Sequence, residues 1–136
     1  MKFFLSTFCL LMAGCLTAQN LTGIWRGSFT NMLYERDASG NRIALPADHY
    51  KFEVQIAQTG NEFKSVTYSY LSTVFYGKAV ARGTVNSRNG KVFLEEQKLV
   101  EVKMSSGGGA CAMTLFMQYT KSGKEEFLEG TFTSMN

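Results

Sequence analysis

His49-Tyr50-Lys51-Phe52-Glu53-Val54-Gln55-Ile56-Ala57-Gln58 alternates apolar and polar side chains almost without a break. Successive residues of a β-strand point to opposite faces, so Tyr50, Phe52, Val54 and Ile56 share one face while Lys51, Glu53 and Gln55 share the other. A strand with one dry and one wet face belongs to an antiparallel sheet packed on a core. Thr59-Gly60-Asn61 then carries turn chemistry, and a second strand is expected from Glu62 to about Leu71, with Val66, Tyr68 and Tyr70 in phase.

The same rhythm continues downstream. Phe75 to Val85 predicts a strand with one unusually small face, Gly77, Ala79, Ala81 and Gly83, against Tyr76, Lys78, Val80 and Arg82. Small residues there permit close packing or sharp coiling. Asn86-Ser87-Arg88-Asn89-Gly90 is a turn, and Lys91 to Met104 is extended with a change of phase near Glu95-Glu96, the mark of a β-bulge. After a loop from Ser105 to Gly109, Cys111, Met113, Leu115, Met117 and Tyr119 alternate with Ala112, Thr114, Phe116 and Gln118. Lys121-Ser122-Gly123-Lys124 turns the chain into a final strand, Glu125 to Thr133. The fold class is all-β: an antiparallel up-and-down meander of about seven strands, a barrel that is open or incomplete. Asn31 to Asp48 interrupts the rhythm and reads as a long connection of the kind that often forms a lid.

Upstream of the strands, Met1-Lys2 opens an apolar run from Phe3 to Leu16 that ends in Thr17-Ala18 before Gln19-Asn20. That order is the charged, apolar and small-residue layout of a bacterial secretory signal. The run is shorter than the roughly 20 residues a spanning helix needs. Residues 1–18 are therefore expected to be a cleaved signal peptide and residues 19–136 a single domain, secreted or periplasmic. Met12-Ala13-Gly14-Cys15 offers the alternative of a membrane-anchored lipoprotein acylated at Cys15. N-terminal sequencing of exported protein should read from Gln19; an acylated Cys15 at the terminus would contradict simple cleavage.

Cleavage of 18 from 136 residues leaves 118, enough for one hydrophobic core. It removes Lys2 and no acid, taking the net charge from +3 to +2. So small a charge, with scattered basic residues, argues against a nucleic-acid partner. Cys9 and Cys15 both fall in the signal, which leaves Cys111 the one cysteine of the mature chain, unusual in an oxidising compartment.

Leu21-Thr22-Gly23-Ile24-Trp25-Arg26-Gly27 places a Gly-x-Trp on the first strand of the mature chain. This start, followed by a long connection and a meander of hairpins, resembles the lipocalins and wider calycin β-barrels, with Gly23 and Trp25 carrying the match. The resemblance implies that Trp25 closes the narrow end of a barrel, that the connection after the first strand partly lids the open end, and that the interior takes a small apolar or amphipathic ligand.

The residues that could carry chemistry are few. His49 stands beside Asp48 without convergent partners for a metal, and Ser28 lacks the Gly-x-Ser-x-Gly elbow of an exposed nucleophile. Glu95 and Glu96 point to opposite faces of a regular strand, as do Glu125 and Glu126, so neither pair makes a general acid and base; all read as solvated strand charge. Gly107-Gly108-Gly109 lacks the Lys-Ser/Thr of a phosphate cradle. No metal, catalytic or cofactor motif emerges, and the expectation is a non-enzymatic protein without a cofactor. Candidate ligand contacts are Tyr68, Tyr70, Met113, Met117 and Tyr119, the tyrosines because a buried hydroxyl needs a partner. The rival expectation is a filled barrel or sandwich acting through its surface as an interaction or accessory module. A void of about 300 Å³ or more separates the two.

Seven strands are one short of the eight that close a small barrel. The chain also stops directly after a patterned strand. Both features suggest a further strand beyond Asn136, with a second cysteine pairing Cys111 in a disulfide.

Overall fold

The computed structural model describes residues 19–105 and 110–134, so the expected signal peptide, Cys15 and the Gly107 to Gly109 loop lie outside the described residues. Seven strands run in chain order: β1 (Gly23–Arg36), β2 (Arg42–Thr59), β3 (Glu62–Leu71), β4 (Phe75–Val85), β5 (Lys91–Met104), β6 (Met113–Ser122) and β7 (Glu125–Ser134). Each pairs antiparallel with the next, giving one sheet of order β1-β2-β3-β4-β5-β6-β7 and no helix among the described residues. The all-β up-and-down meander is therefore as the alternation predicts. The sheet curls into an open half-barrel whose ends, β1 and β7, meet through side chains, with the Phe29 and Phe132 ring centroids 5.0 Å apart.

One end of the curl is filled. Leu21, Ile56, Phe63, Val85, Val92, Leu94 and Leu115 form a continuous buried core, with Trp25, Met117 and Leu128 packed against it. Burying such side chains contributes about 1.5–3 kcal/mol each, which is what holds so small a domain together. Leu21 is fully buried, and its carbonyl accepts a hydrogen bond from the Trp25 ring N–H at 2.8 Å. Trp25 itself is half-buried, its ring edge-on to Tyr119 at 6.4 Å.

Gly83 explains the small face of β4. The Phe63 ring and the Phe93 carbonyl lie where a side chain at 83 would begin. Gly83→Ala should destabilise the domain by about 1–3 kcal/mol, the usual range for overpacking. A denaturant midpoint equal to the parent's would contradict this contact.

The structure revises three readings of the strands. First, Asn31 to Asp48 is not a loop. β1 and β2 continue through it as one long hairpin with a bulge between Thr30 and Met32 and a turn at 37–41. The Asp37 carboxylate holds that turn by accepting from the Ser39 and Asn41 backbone N–H groups. β3 pairs with β2 only from Lys51 onward, so the outer hairpin projects past the sheet.

Second, the phase of β3 is inverted. Phe63, Ser65, Thr67 and Ser69 are buried, whereas Tyr68 and Tyr70 face outward. Gly60-Asn61 is a two-residue turn joining Thr59 to Glu62, and it sets Ser65 opposite Ile56, Thr67 opposite Val54 and Ser69 opposite Phe52. Cross-strand partners share a face. The register therefore overrides the bulk of the tyrosines.

Third, β5 bulges slightly later than expected. Ala81 pairs with Glu96 but Val80 with Lys98, and Ala79 with Leu99 but Lys78 with Glu101, so Gln97 and Val100 are the extra residues. The first bulge lets Glu96 and Leu99 turn to the same, inner side.

Candidate functional site

The turns at 59–62, 85–91 and 122–125 gather at the filled end, and those at 71–75 and between β5 and β6 lie at the other. At this second end the interior is hollow, and the residue sizes say why. On β3 and β4 the inward positions are Ser69, Gly77 and Ala79, which leave room, while Phe29, Tyr50, Phe75 and Phe132 build an aromatic wall around the space. All seven strands contribute to a cavity of 240 Å³. Phe29 and Tyr50 stack at 4.8 Å with their planes 4° apart, and Phe75 meets Tyr50 edge-on at 5.7 Å. These rings hold one another, so the wall exists before anything enters it.

Among the described residues one charge-bearing side chain lines the cavity. Glu96 is 7% exposed, in phase with the core residues Val92 and Leu94. Its carboxylate accepts from the Thr67 hydroxyl and, at 2.9 Å, from the Met113 backbone N–H. Neither of the ion pairs among the described residues involves it. Burial pushes its pKa above the ordinary carboxylate value, and the two donated hydrogen bonds only partly offset this. The expectation that Glu96 is solvated strand charge is thus overturned, although the Val92-Leu94-Glu96 alternation was the signal that could have found it. Glu95 does point away from Glu96, as alternation requires.

Three of the five candidate ligand residues lie on the inner face, and Met113 alone among them lines this cavity. Met117 packs on the core. Tyr119 reaches its hydroxyl to Glu126 as donor at 2.7 Å, a bond that raises its pKa with burial adding to the effect. Tyr68 and Tyr70 are outside, where Tyr68 lies 5.5 Å from the Lys78 ammonium and Tyr70 tilts against Tyr76. Cys111 stands half-buried in the cavity wall just ahead of β6.

A second groove, of 280 Å³, follows the seam between β1 and β7, lined by Trp25, Phe29, Met113, Met117, Leu128 and Phe132 among others. Larger concavities of 1060 and 650 Å³ lie on the outside, about the 85–91 turn and about Lys64 and Arg82. We weigh the smaller mouth cavity above these, because it combines apolar walls with a buried polar group, the composition of ligand sites.

Comparison with protein-family models, curated proteins and solved structures gave no match. Function rests on the geometry. Among the described residues no group of three or more His, Cys, Asp and Glu side chains could hold a metal, and no helix is long and apolar enough to cross a membrane.

Proposed function

We propose that this domain is a non-enzymatic, lipocalin-like carrier that holds one small amphipathic molecule in the mouth of the half-barrel. The observation that carries the reading is the aromatic-walled cavity with Glu96 at its floor. A volume of 240 Å³ falls short of the roughly 300 Å³ that separates a carrier from a filled barrel, so on volume alone the filled-barrel rival is favoured, and the carrier reading rests on the lining and is confined to a compact occupant rather than a long acyl chain. Residues 1–18 support an envelope or extracellular setting through their sequence alone.

The test is a thermal-shift screen of purified domain with small aromatic alcohols, amines and carboxylates, alongside fatty acids, retinoids and bile acids. A ligand at about 100 times its dissociation constant should stabilise by about 2.7 kcal/mol. A flat response to every compact probe would overturn the reading. Phe29→Ala should abolish the shift by opening the wall; an unchanged shift would move the site elsewhere.

One observation favours a surface role in addition. The projecting hairpin exposes Tyr34, Ile43 and Leu45. Ile43 and Leu45 share one face of this arm and Tyr34 lies on the other, and exposed apolar side chains on a projecting hairpin suit an interaction module. Replacing these three by Ser should leave small-molecule binding intact if the cavity is the functional site.

A further inference from the structure

We propose that the mouth cavity selects an organic ammonium, a compact amine with an apolar body, and that Glu96 is the residue that sets this preference. The inference rests on the carrier reading above and narrows its ligand class. Three features of the cavity converge on it.

The first is the isolation of the carboxyl. Glu96 is more than nine-tenths buried, and among the described residues no lysine, arginine or histidine lines the cavity. An ionised carboxylate taken out of water without a counter-ion is costly, and one supplied by a ligand recovers much of that cost. Thr67 and Met113 occupy one lone pair on each carboxylate oxygen, fixing the group while leaving acceptor capacity.

The second is the wall. Phe29, Tyr50, Phe75 and Phe132 surround the space, and aromatic rings attract cations through their negative faces. A carboxylate within an aromatic cup suits an ammonium, and it repels a carboxylate ligand. The third is that the described lining carries no fixed positive charge. The other titratable groups on the lining are Tyr50 on β2 and Cys111 ahead of β6; β3 and β4 contribute Ser69, Gly77 and Ala79, β1 Phe29 and Asn31, and β7 Phe132 and Ser134. None of these supplies a fixed positive charge for an anionic head group.

The experiment compares three probes of similar size, 2-phenylethylamine, 2-phenylethanol and 3-phenylpropanoate, by isothermal titration on the parent and on Glu96→Gln. The glutamine keeps an oxygen for the Met113 N–H and an amide for Thr67, so the fold has no reason to change. In the parent the amine should bind at least about tenfold more tightly than the alcohol, equivalent to 1.4 kcal/mol, and the carboxylate weakest. In Glu96→Gln the amine should lose that advantage over the alcohol. Raising the pH should tighten the amine alone in the parent, as Glu96 ionises. Equal amine and alcohol affinities in the parent, or an amine preference that survives Glu96→Gln, would overturn the selectivity while leaving the carrier reading standing. Failure of all three probes to bind would overturn the carrier reading, and the selectivity with it.

Discussion

Leu94→Ala should destabilise the domain by about 2–5 kcal/mol, the range for emptying a fully buried leucine site. Leu94 has no exposed surface and sits among Val92, Phe63 and Leu115 in the filled end, where the neighbours cannot collapse without moving the sheet. Met113→Ala, at the hollow end, removes a side chain that is only half-buried and already borders empty space. It should cost clearly less. Denaturant unfolding of both variants checks the contrast, and equal losses would mean that the mouth is packed like the core.

Glu96→Gln should behave in the opposite way, stabilising the ligand-free protein increasingly as pH rises. Burial holds the folded carboxyl above its ordinary value, whereas in the unfolded chain a glutamate ionises near about 4.3. Between those two values the folded state keeps a proton that the unfolded state has released. Its contribution to stability is full below the unfolded value and is lost as pH rises through the folded value. Melting curves of parent and variant should therefore coincide in acid, diverge between the unfolded and folded values and hold a constant gap above the folded one, with the parent less stable. Each unit of elevation corresponds to about 1.4 kcal/mol. Parallel curves across the range would show that Glu96 ionises freely in the folded protein. An ammonium ligand should close the gap at high pH by supplying the missing counter-ion.

The meander was legible in the sequence because period-two alternation survives where one face is dry, as in Tyr50 to Ile56 and Met113 to Tyr119. Strand order followed from the tight turns at Gly60-Asn61 and Gly123-Lys124. What alternation could not give was phase where both faces carry strand-forming residues. In β3 the tyrosines outweigh the serines and threonine by bulk, yet the two-residue turn ties Ser65, Thr67 and Ser69 to the inner face of β2. That register moved Tyr68 and Tyr70 out of the site and made room for it. Glu96 was hidden for a different reason: a charge is read as solvated by default, although it continues the Val92-Leu94 alternation, and only the inward turn of Leu99 depends on the bulge that follows it. The long β1–β2 hairpin was missed because Asn31, Pro46 and Asp48 weaken the alternation, while the pairing of Leu33 with Leu45 and Tyr34 with Ala44 is a tertiary fact. The open seam was anticipated by strand count. Its edge is guarded by Glu125, Glu126 and Glu129 on β7, charges that discourage pairing with another chain.

On the proposal above, a small molecule binds in the mouth of the half-barrel. Backbone amide shifts measured by NMR during titration with 2-phenylethylamine test it most directly. Perturbations are expected at Phe29, Tyr50, Ser69, Gly77, Glu96 and Met113, with Phe63, Val85 and Val92 at the filled end unmoved. Perturbations confined to the outer tyrosines 68, 70 and 76, or to the β1–β7 seam about Trp25 and Leu128, would contradict it.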